Sequence, residues 1–223
     1  MHKLNVLETG DGSFTLELEG CNEQYHSKHG ALQEAMHVFI RSGLDLFHNK
    51  EEVRILEVGL GTGLNCALTL SEILEHPSLV CKYTGLEPFP LDYSLVEKLG
   101  YADFLNEPTF AGFTQMHTGP EKEVVGLHPR FSFEKHFTKL EEWTGNHKFD
   151  LIYYDAFGPR TQGELWEKSC FEKLAGMVNP GGVFVTYCAK GSLKRDLASC
   201  GFEVETLPGP PGKREMVRGV MPY

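Results

Sequence analysis

The stretch Val53-Arg-Ile-Leu-Glu-Val-Gly59 runs straight into Leu60-Gly-Thr-Gly-Leu-Asn65, and an apolar helical pattern then carries on to about residue 75. This is a buried strand, a glycine turn and a helix in immediate succession. Glycines 59, 61 and 63 let the backbone turn tightly and approach a ligand without Cβ collisions. The helix behind them offers free N–H groups and the positive end of its dipole. A strand this uniformly apolar must be covered on both faces, which demands parallel neighbours and crossover helices.

The rest of the chain supplies both. KYTGLE (82–87) reads as a second strand, followed by a helix over 91–105, and RFSFEKH (130–136) as a weaker third. KFDLIYYDAF (148–157) carries the fourth, and Trp166, Cys170, Leu174 and Val178 mark one stripe of a helix over 162–177. Asn179-Pro-Gly-Gly182 reads as a turn, GVFVTYC (182–188) as the fifth strand, and 190–200 as a helix. FEVETL and MVRGVM then form a closing pair joined by PGPPGKRE. No helix connects them, so they pair antiparallel. The expected fold is α/β and doubly wound: a mostly parallel seven-stranded Rossmann-like sheet with an antiparallel last strand. Upstream, 4–9 and 14–18 flank a Gly-Asp-Gly hairpin turn, and Leu32, Met36, Phe39, Gly43, Leu44 and Phe47 place a helix over 31–48. The division expected is an extension of residues 1–50 packed on a core domain of 51–223.

Nothing in the sequence is repeated, low in complexity or apolar for long enough to cross a membrane. The N-terminus lacks the apolar core of a secretion signal, so the expected location is cytoplasmic. Six cysteines (21, 66, 81, 170, 188 and 200) show no C-x-x-C and no zinc spacing, so buried thiols are expected and no metal site. The net charge of −10 argues against a general nucleic-acid binder. From Lys190 onward, however, six Lys/Arg stand against four Asp/Glu. A local basic face there is free to meet phosphates.

Ligands of open α/β sheets sit beyond the carboxyl ends of the strands, near the switch point. A nicotinamide fingerprint would need glycine at position 64, which is Leu. The spacing is instead E-x-G-x-G-x-G, the pattern of S-adenosylmethionine (SAM) methyltransferases. Glu57 is then placed to accept from the cofactor's ammonium, directly or through water, and Glu87 to grip the two ribose hydroxyls. The cofactor set expected is Glu57, Gly59, Gly61, Thr62, Gly63, Asn65, Glu87, Pro88, Asp155, Ala156 and Phe157, with Tyr25 and Ser27 closing over the methionine end or packing on the sheet. Asp155 ends the fourth strand, where a carboxylate can orient an attacking amine and accept its proton. Its competing role is a helix cap, but Thr161 is better placed for that. Substrate contacts are expected from Phe157, Pro159, Arg160, Lys213 and Arg214. Arg160 has a salt bridge to Glu164 as its alternative, and Lys190, Lys194 and Arg195 read as a solvated helix face.

Several stretches together resemble one family. They are Tyr25-His-Ser27 with Leu32-Gln-Glu34, Gly61-Thr-Gly-Leu-Asn65, Glu87-Pro-Phe-Pro90, Asp155-Ala-Phe-Gly-Pro159 with Trp166, Pro180-Gly-Gly182, Lys194-Arg195 and Gly212-Lys-Arg-Glu-Met216. They resemble the methyltransferase half of the bacterial tRNA wobble-uridine enzyme MnmC and its stand-alone relative MnmD, which is the better match. The resemblance implies a class I SAM-dependent methyltransferase acting on the anticodon stem-loop of tRNA. The reaction implied is methylation of the amine of 5-aminomethyl(2-thio)uridine, with Asp155 as the essential acid. A separate FAD-dependent oxidase would act upstream, or the aminomethyl base would arrive directly. Met36 departs from the Arg frequent in the family, and His136-Phe-Thr-Lys139 replaces an acid near adenine, so no adenine acid is assigned. The rival readings are an aminopropyltransferase, a methyltransferase for another amine, and a non-catalytic RNA-binding module.

Overall fold

A computed structural model describes residues 3–20 and 23–223. Cys21 lies outside them; the other five cysteines are free thiols. The core is an eight-stranded sheet built from β4 (Glu52–Val58), β5 (Val80–Leu86), β6 (Val125–His128), β7 (Phe131–His136), β8 (Phe149–Tyr154), β9 (Val178–Thr186), β10 (Glu203–Pro208) and β11 (Glu215–Val220), in the order β10-β11-β9-β8-β4-β5-β7-β6. β4 pairs in parallel with β5 on one side and β8 on the other, which puts the switch point at its carboxyl end. β5–β7 and β8–β9 continue the parallel run, while β11 lies antiparallel to both β9 and β10. The seven strands read from the sequence are therefore present with the expected antiparallel strand. The eighth, β6, adds an unforeseen antiparallel edge beside β7.

Alternation along the strands divides the core. Val53 and Ile55 of β4 face one apolar layer with Leu64, Ala67, Leu70 and Ile73 of α2 (Leu64–Glu75). Leu56 and Val58 face the other, with Cys170, Phe171 and Leu174 of α5 (Lys168–Ala175) and Leu193 and Leu197 of α6 (Gly191–Ser199). A small antiparallel sheet of β1 (Leu4–Glu8), β2 (Phe14–Leu18) and β3 (Glu23–Gln24) joins the first layer through the buried Leu16.

Four expected helices and turns change. The helix expected over 31–48 is α1 (Ala31–Ala35) continuing as a π-turn through Met36–Arg41, then a separate 3-10 turn at Leu44–Phe47. The wider turn buries three consecutive side chains, Val38, Phe39 and Ile40. Gly43 ends it, because a Cβ there would lie 2.5 Å from the Phe39 carbonyl oxygen. The helix expected over 91–105 shrinks to α3 (Tyr93–Val96) and two 3-10 turns, broken at Gly100 with φ +63°. The chain then forms an unforeseen helix, α4 (Glu107–Thr118), capped by Asn106, whose side chain accepts from the Thr109 N–H. Residues 162–177 hold a 3-10 turn (Gly163–Trp166) and then α5; Glu167 between them has extended backbone. Thr161 is not a helix cap, since its hydroxyl donates to Glu23 Oε2 at 2.7 Å. Asn179-Pro-Gly-Gly182 lies inside β9 as an irregularity in its register with β8 rather than as a turn before it.

Candidate active site

The carboxyl ends of β4, β5, β7 and β8 converge on one pocket. Gly59, Leu60 and Gly61 form its floor, with Glu87, Pro88 and Phe89 on one side, Asp155, Ala156 and Phe157 on another, and Thr138 to Glu141 at the far end. The strand ladders extend into this rim: the N–H groups of Gly59 and Leu60 donate to the Leu86 carbonyl, and that of Asp155 to the Val58 carbonyl. Gly59 has φ +91°, and a Cβ on it would sit 2.6 Å from the Asp155 carbonyl oxygen. Glycine is what allows the ends of β4 and β8 to approach this closely.

Glu87 is nearly buried. Its Oε2 accepts from the Gly61 N–H and its Oε1 from the Phe89 N–H, each at 2.9 Å. Burial pushes its carboxyl above the usual range, with these two donors opposing. Two carboxylate oxygens with spare lone pairs, held rigidly by backbone in a pocket wall, suit a vicinal diol. Asp155 is held by Asn65, whose Nδ2 donates to Asp155 Oδ2 and to Glu57 Oε1, both at 2.8 Å. Burial, reinforced by the negative Glu34, raises the Asp155 carboxyl from 3.8 to about 7, against the Asn65 hydrogen bond and Lys213. That value suits a base working near neutral pH.

Asp155 also faces a second cavity. Tyr25, His26, Asp155, Ala156 and Phe157 are common to both, so they form the wall between them. The ring of Tyr25 meets that of Phe157 edge-on at 4.9 Å. Glu34, Tyr187, Gly212 and Lys213 close the far side of the second cavity.

Gly59, Gly61, Glu87, Pro88, Asp155, Ala156, Phe157 and Tyr25 thus meet in one place, as expected from sequence. Others lie elsewhere. Glu57 is wholly buried; its Oε1 accepts from Asn65 and its Oε2 from the Tyr83 hydroxyl, each at 2.8 Å, so it anchors the loop from behind. Thr62 is also wholly buried, and its hydroxyl shares hydrogen bonds with His26 Nε2 (2.8 Å) and the Tyr101 hydroxyl (3.1 Å). Gly63 faces Met116 of α4, and Asn65 reaches Asp155 rather than the pocket. Ser27 lines the second cavity only. Pro159 and Arg160 line neither cavity, and Arg160 is exposed. Lys213 is not a free cation but pairs with Glu34, whereas Arg214 is exposed. Lys194 pairs with Glu215 at 3.0 Å, leaving Lys190 and Arg195 exposed on α6. Glu34 and Tyr187 were missed as cavity residues; the Glu34 position stood only within a quoted resemblance. His48, Glu72 and His76 cluster elsewhere, but the two imidazoles stack at 3.7 Å and 18°, so their in-plane lone pairs do not converge on one ion.

The Rossmann-like sheet and the relatives it is similar to are those of a SAM-dependent methyltransferase. Residues 122–222 match the family described as "S-adenosyl-L-methionine-dependent methyltransferase". The chain is similar to the "tRNA 5-methylaminomethyl-2-thiouridine biosynthesis bifunctional protein MnmC" of Pseudoalteromonas atlantica, 29% identical over 90% of this chain and 31% of the relative. The protein of that name from Cupriavidus metallidurans is 30% identical over 87% of this chain and 31% of its own length. The chain therefore spans about a third of these relatives. Among solved structures, MNMC2 from Aquifex aeolicus superposes with a TM-score of 0.77 at 24% identity, covering all of this chain and 73% of that one. The chain is thus similar to proteins named MnmC over the part of them that it spans.

Proposed function

We propose that the chain transfers the methyl group of SAM to the primary amine of 5-aminomethyl(2-thio)uridine at the wobble position of tRNA. The observation that carries this reading is the place of Asp155, a carboxyl at about 7 in the wall between two cavities. The bound cofactor supplies an electrophilic methyl carbon on a sulfonium. Gly59 and Gly61 would admit it closely, Glu87 would hold its ribose hydroxyls, and the Tyr25–Phe157 edge would separate it from the base. The amine enters from the other side as an ammonium ion. Asp155 Oδ would take one N–H proton and so free the nitrogen lone pair for the methyl group that a bound cofactor would supply. An amine needs this base because its protonated form has no lone pair to attack with. Arg214, exposed beside the second cavity's loop, would meet the RNA backbone.

The test is labelled-methyl transfer to tRNA carrying the aminomethyl wobble base. Asp155→Asn is expected to bind SAM as the wild type does and to lose on the order of 10²–10⁴ in rate. Near-wild-type turnover would remove Asp155 from the chemistry. Tighter binding of decarboxylated SAM than of SAM would favour aminopropyl transfer instead.

A further inference from the structure

The second cavity contains a buried carboxylate that the proposed methyl transfer does not use. Glu34 is 7% exposed in its side chain; its Oε2 accepts from the Ser27 N–H at 2.7 Å, and its Oε1 pairs with Lys213 Nζ. The same ammonium lies 3.7 Å from the centroid of the Tyr187 ring. That ring is fixed, because its hydroxyl donates to the Ala156 carbonyl at 2.8 Å. A carboxylate on one side and an aromatic face on the other make a receptor for an alkylammonium. Asp155 lines the same cavity, so an ammonium in this receptor has the proton acceptor close by.

We infer that Glu34 and Tyr187 form a binding site for the primary ammonium of the substrate, and that Lys213 fills it as an internal stand-in until substrate arrives. This rests on the reading of Asp155 as the acceptor of an amine proton. Two features distinguish a replaceable occupant from a permanent clamp. The loop carrying Lys213 has a fixed backbone: the Gly209 N–H donates to the Arg214 carbonyl at 3.1 Å, the Lys213 N–H donates to that of Pro210 at 2.9 Å, and a Cβ on Gly212 would lie 2.2 Å from the His29 ring. The Lys213 side chain, by contrast, is one-third exposed, so its flexible stem can swing out while the loop stays seated. Arg214 beside it is 93% exposed, marking where an incoming phosphate would find cations. A polyanion bearing an ammonium then makes both exchanges at once. Lys213 moves from Glu34 to phosphate, and the substrate's ammonium takes its place between Glu34 and Tyr187. A neutral hydroxymethyl base gains nothing from this site.

The experiment is a ligand-observed NMR titration of the full chain with 5-aminomethyluridine, its neutral isostere 5-hydroxymethyluridine, and propylammonium. Lys213→Met is expected to tighten both ammonium ligands roughly tenfold and to leave the hydroxymethyl nucleoside unchanged. Glu34→Gln added to that variant should abolish the gain. Sinefungin binding checks the fold of each variant, and Lys213→Gln replaces any Lys213→Met protein that fails that check. The inference is overturned if loss of the Lys213 charge weakens ammonium binding, or if the two nucleosides respond alike. Propylammonium separates the two levels of the argument. A gain for propylammonium in an enzyme that does not methylate aminomethyl tRNA keeps the receptor and discards the uridine substrate. Methylation with no such gain discards the receptor.

Discussion

Replacing Asp155 by Asn should make the ligand-free protein more stable while disabling it. The carboxyl is raised from 3.8 to about 7, first by burial and then by Glu34. Below about pH 4 the group is protonated in both folded and unfolded chains and contributes no difference. As pH rises toward 7, the unfolded chain gives up this proton while the folded chain keeps it, so stability falls with pH; above about 7 the loss is complete. The rise from 3.8 to about 7, at ~1.36 kcal/mol per tenfold change in proton affinity, sets a ceiling of about 4 kcal/mol, reduced in practice by water in the pocket. Asn has no such titration and still offers an oxygen to Asn65 Nδ2, so the existing hydrogen bond persists. Urea denaturation of both proteins from pH 4 to 8.5 should show curves that differ by only about 0.5 kcal/mol at pH 4 and separate by roughly 2–4 kcal/mol at pH 8. In thermal melts of a chain this size, the separation is on the order of 10 °C. Curves that stay parallel over the whole range would show that Asp155 ionises normally and would refute the account of its burial.

Three further changes test the supporting geometry. Gly59→Ala places a Cβ 2.6 Å from the Asp155 carbonyl oxygen at φ +91°, so calorimetry should find SAM binding weakened at least tenfold; an unaltered Kd contradicts the close approach of the two loops. Tyr83→Phe deprives the wholly buried Glu57 of one donor and should cost about 1–3 kcal/mol in denaturant unfolding, whereas a cost below about 0.5 kcal/mol would mean the anchor is dispensable. Arg214→Glu should weaken tRNA binding and flatten its salt dependence by about one phosphate contact; a slope equal to the wild type's takes this loop out of the interface.

The sequence was most legible where local rules leave one solution. α2 begins and ends at the expected residues because Gly63 starts it after a glycine turn and its apolar face repeats regularly. Chain order alone brought Glu87 and Asp155 to the same rim, since strand ends gather at the switch point. What failed is what local rules do not specify. Glu107–Thr118 carries a weak apolar stripe around Gly112, and only in the fold does that glycine's missing Cβ admit Leu70 of α2. The glycine loop fixes a backbone path but not side-chain direction, so the bracing contacts of Glu57, Thr62 and Asn65 behind the loop are not legible from the spacing. The Glu34–Lys213 pair joins residues 179 apart, a contact that no window along the chain contains.

The distribution of charge resolves an apparent conflict between an acidic chain and the nucleic-acid substrate proposed for it. Glu57, Glu87 and Asp155 all have carboxyls raised by burial, and Glu34 is buried beside them, yet Lys213 is the one cation paired into this group among the described residues. Burying several acids with so little compensation is unfavourable in a protein that binds neutral or anionic ligands there. It becomes favourable when the ligands are themselves cations, as a sulfonium donor and an ammonium acceptor are. On the proposed reading, Glu34, Glu87 and Asp155 serve the reacting cations from the cavity walls, while Arg214 and the exposed Lys190 and Arg195 serve the phosphates from outside. The two signs act on different parts of one substrate, and the net charge of the chain reports on neither.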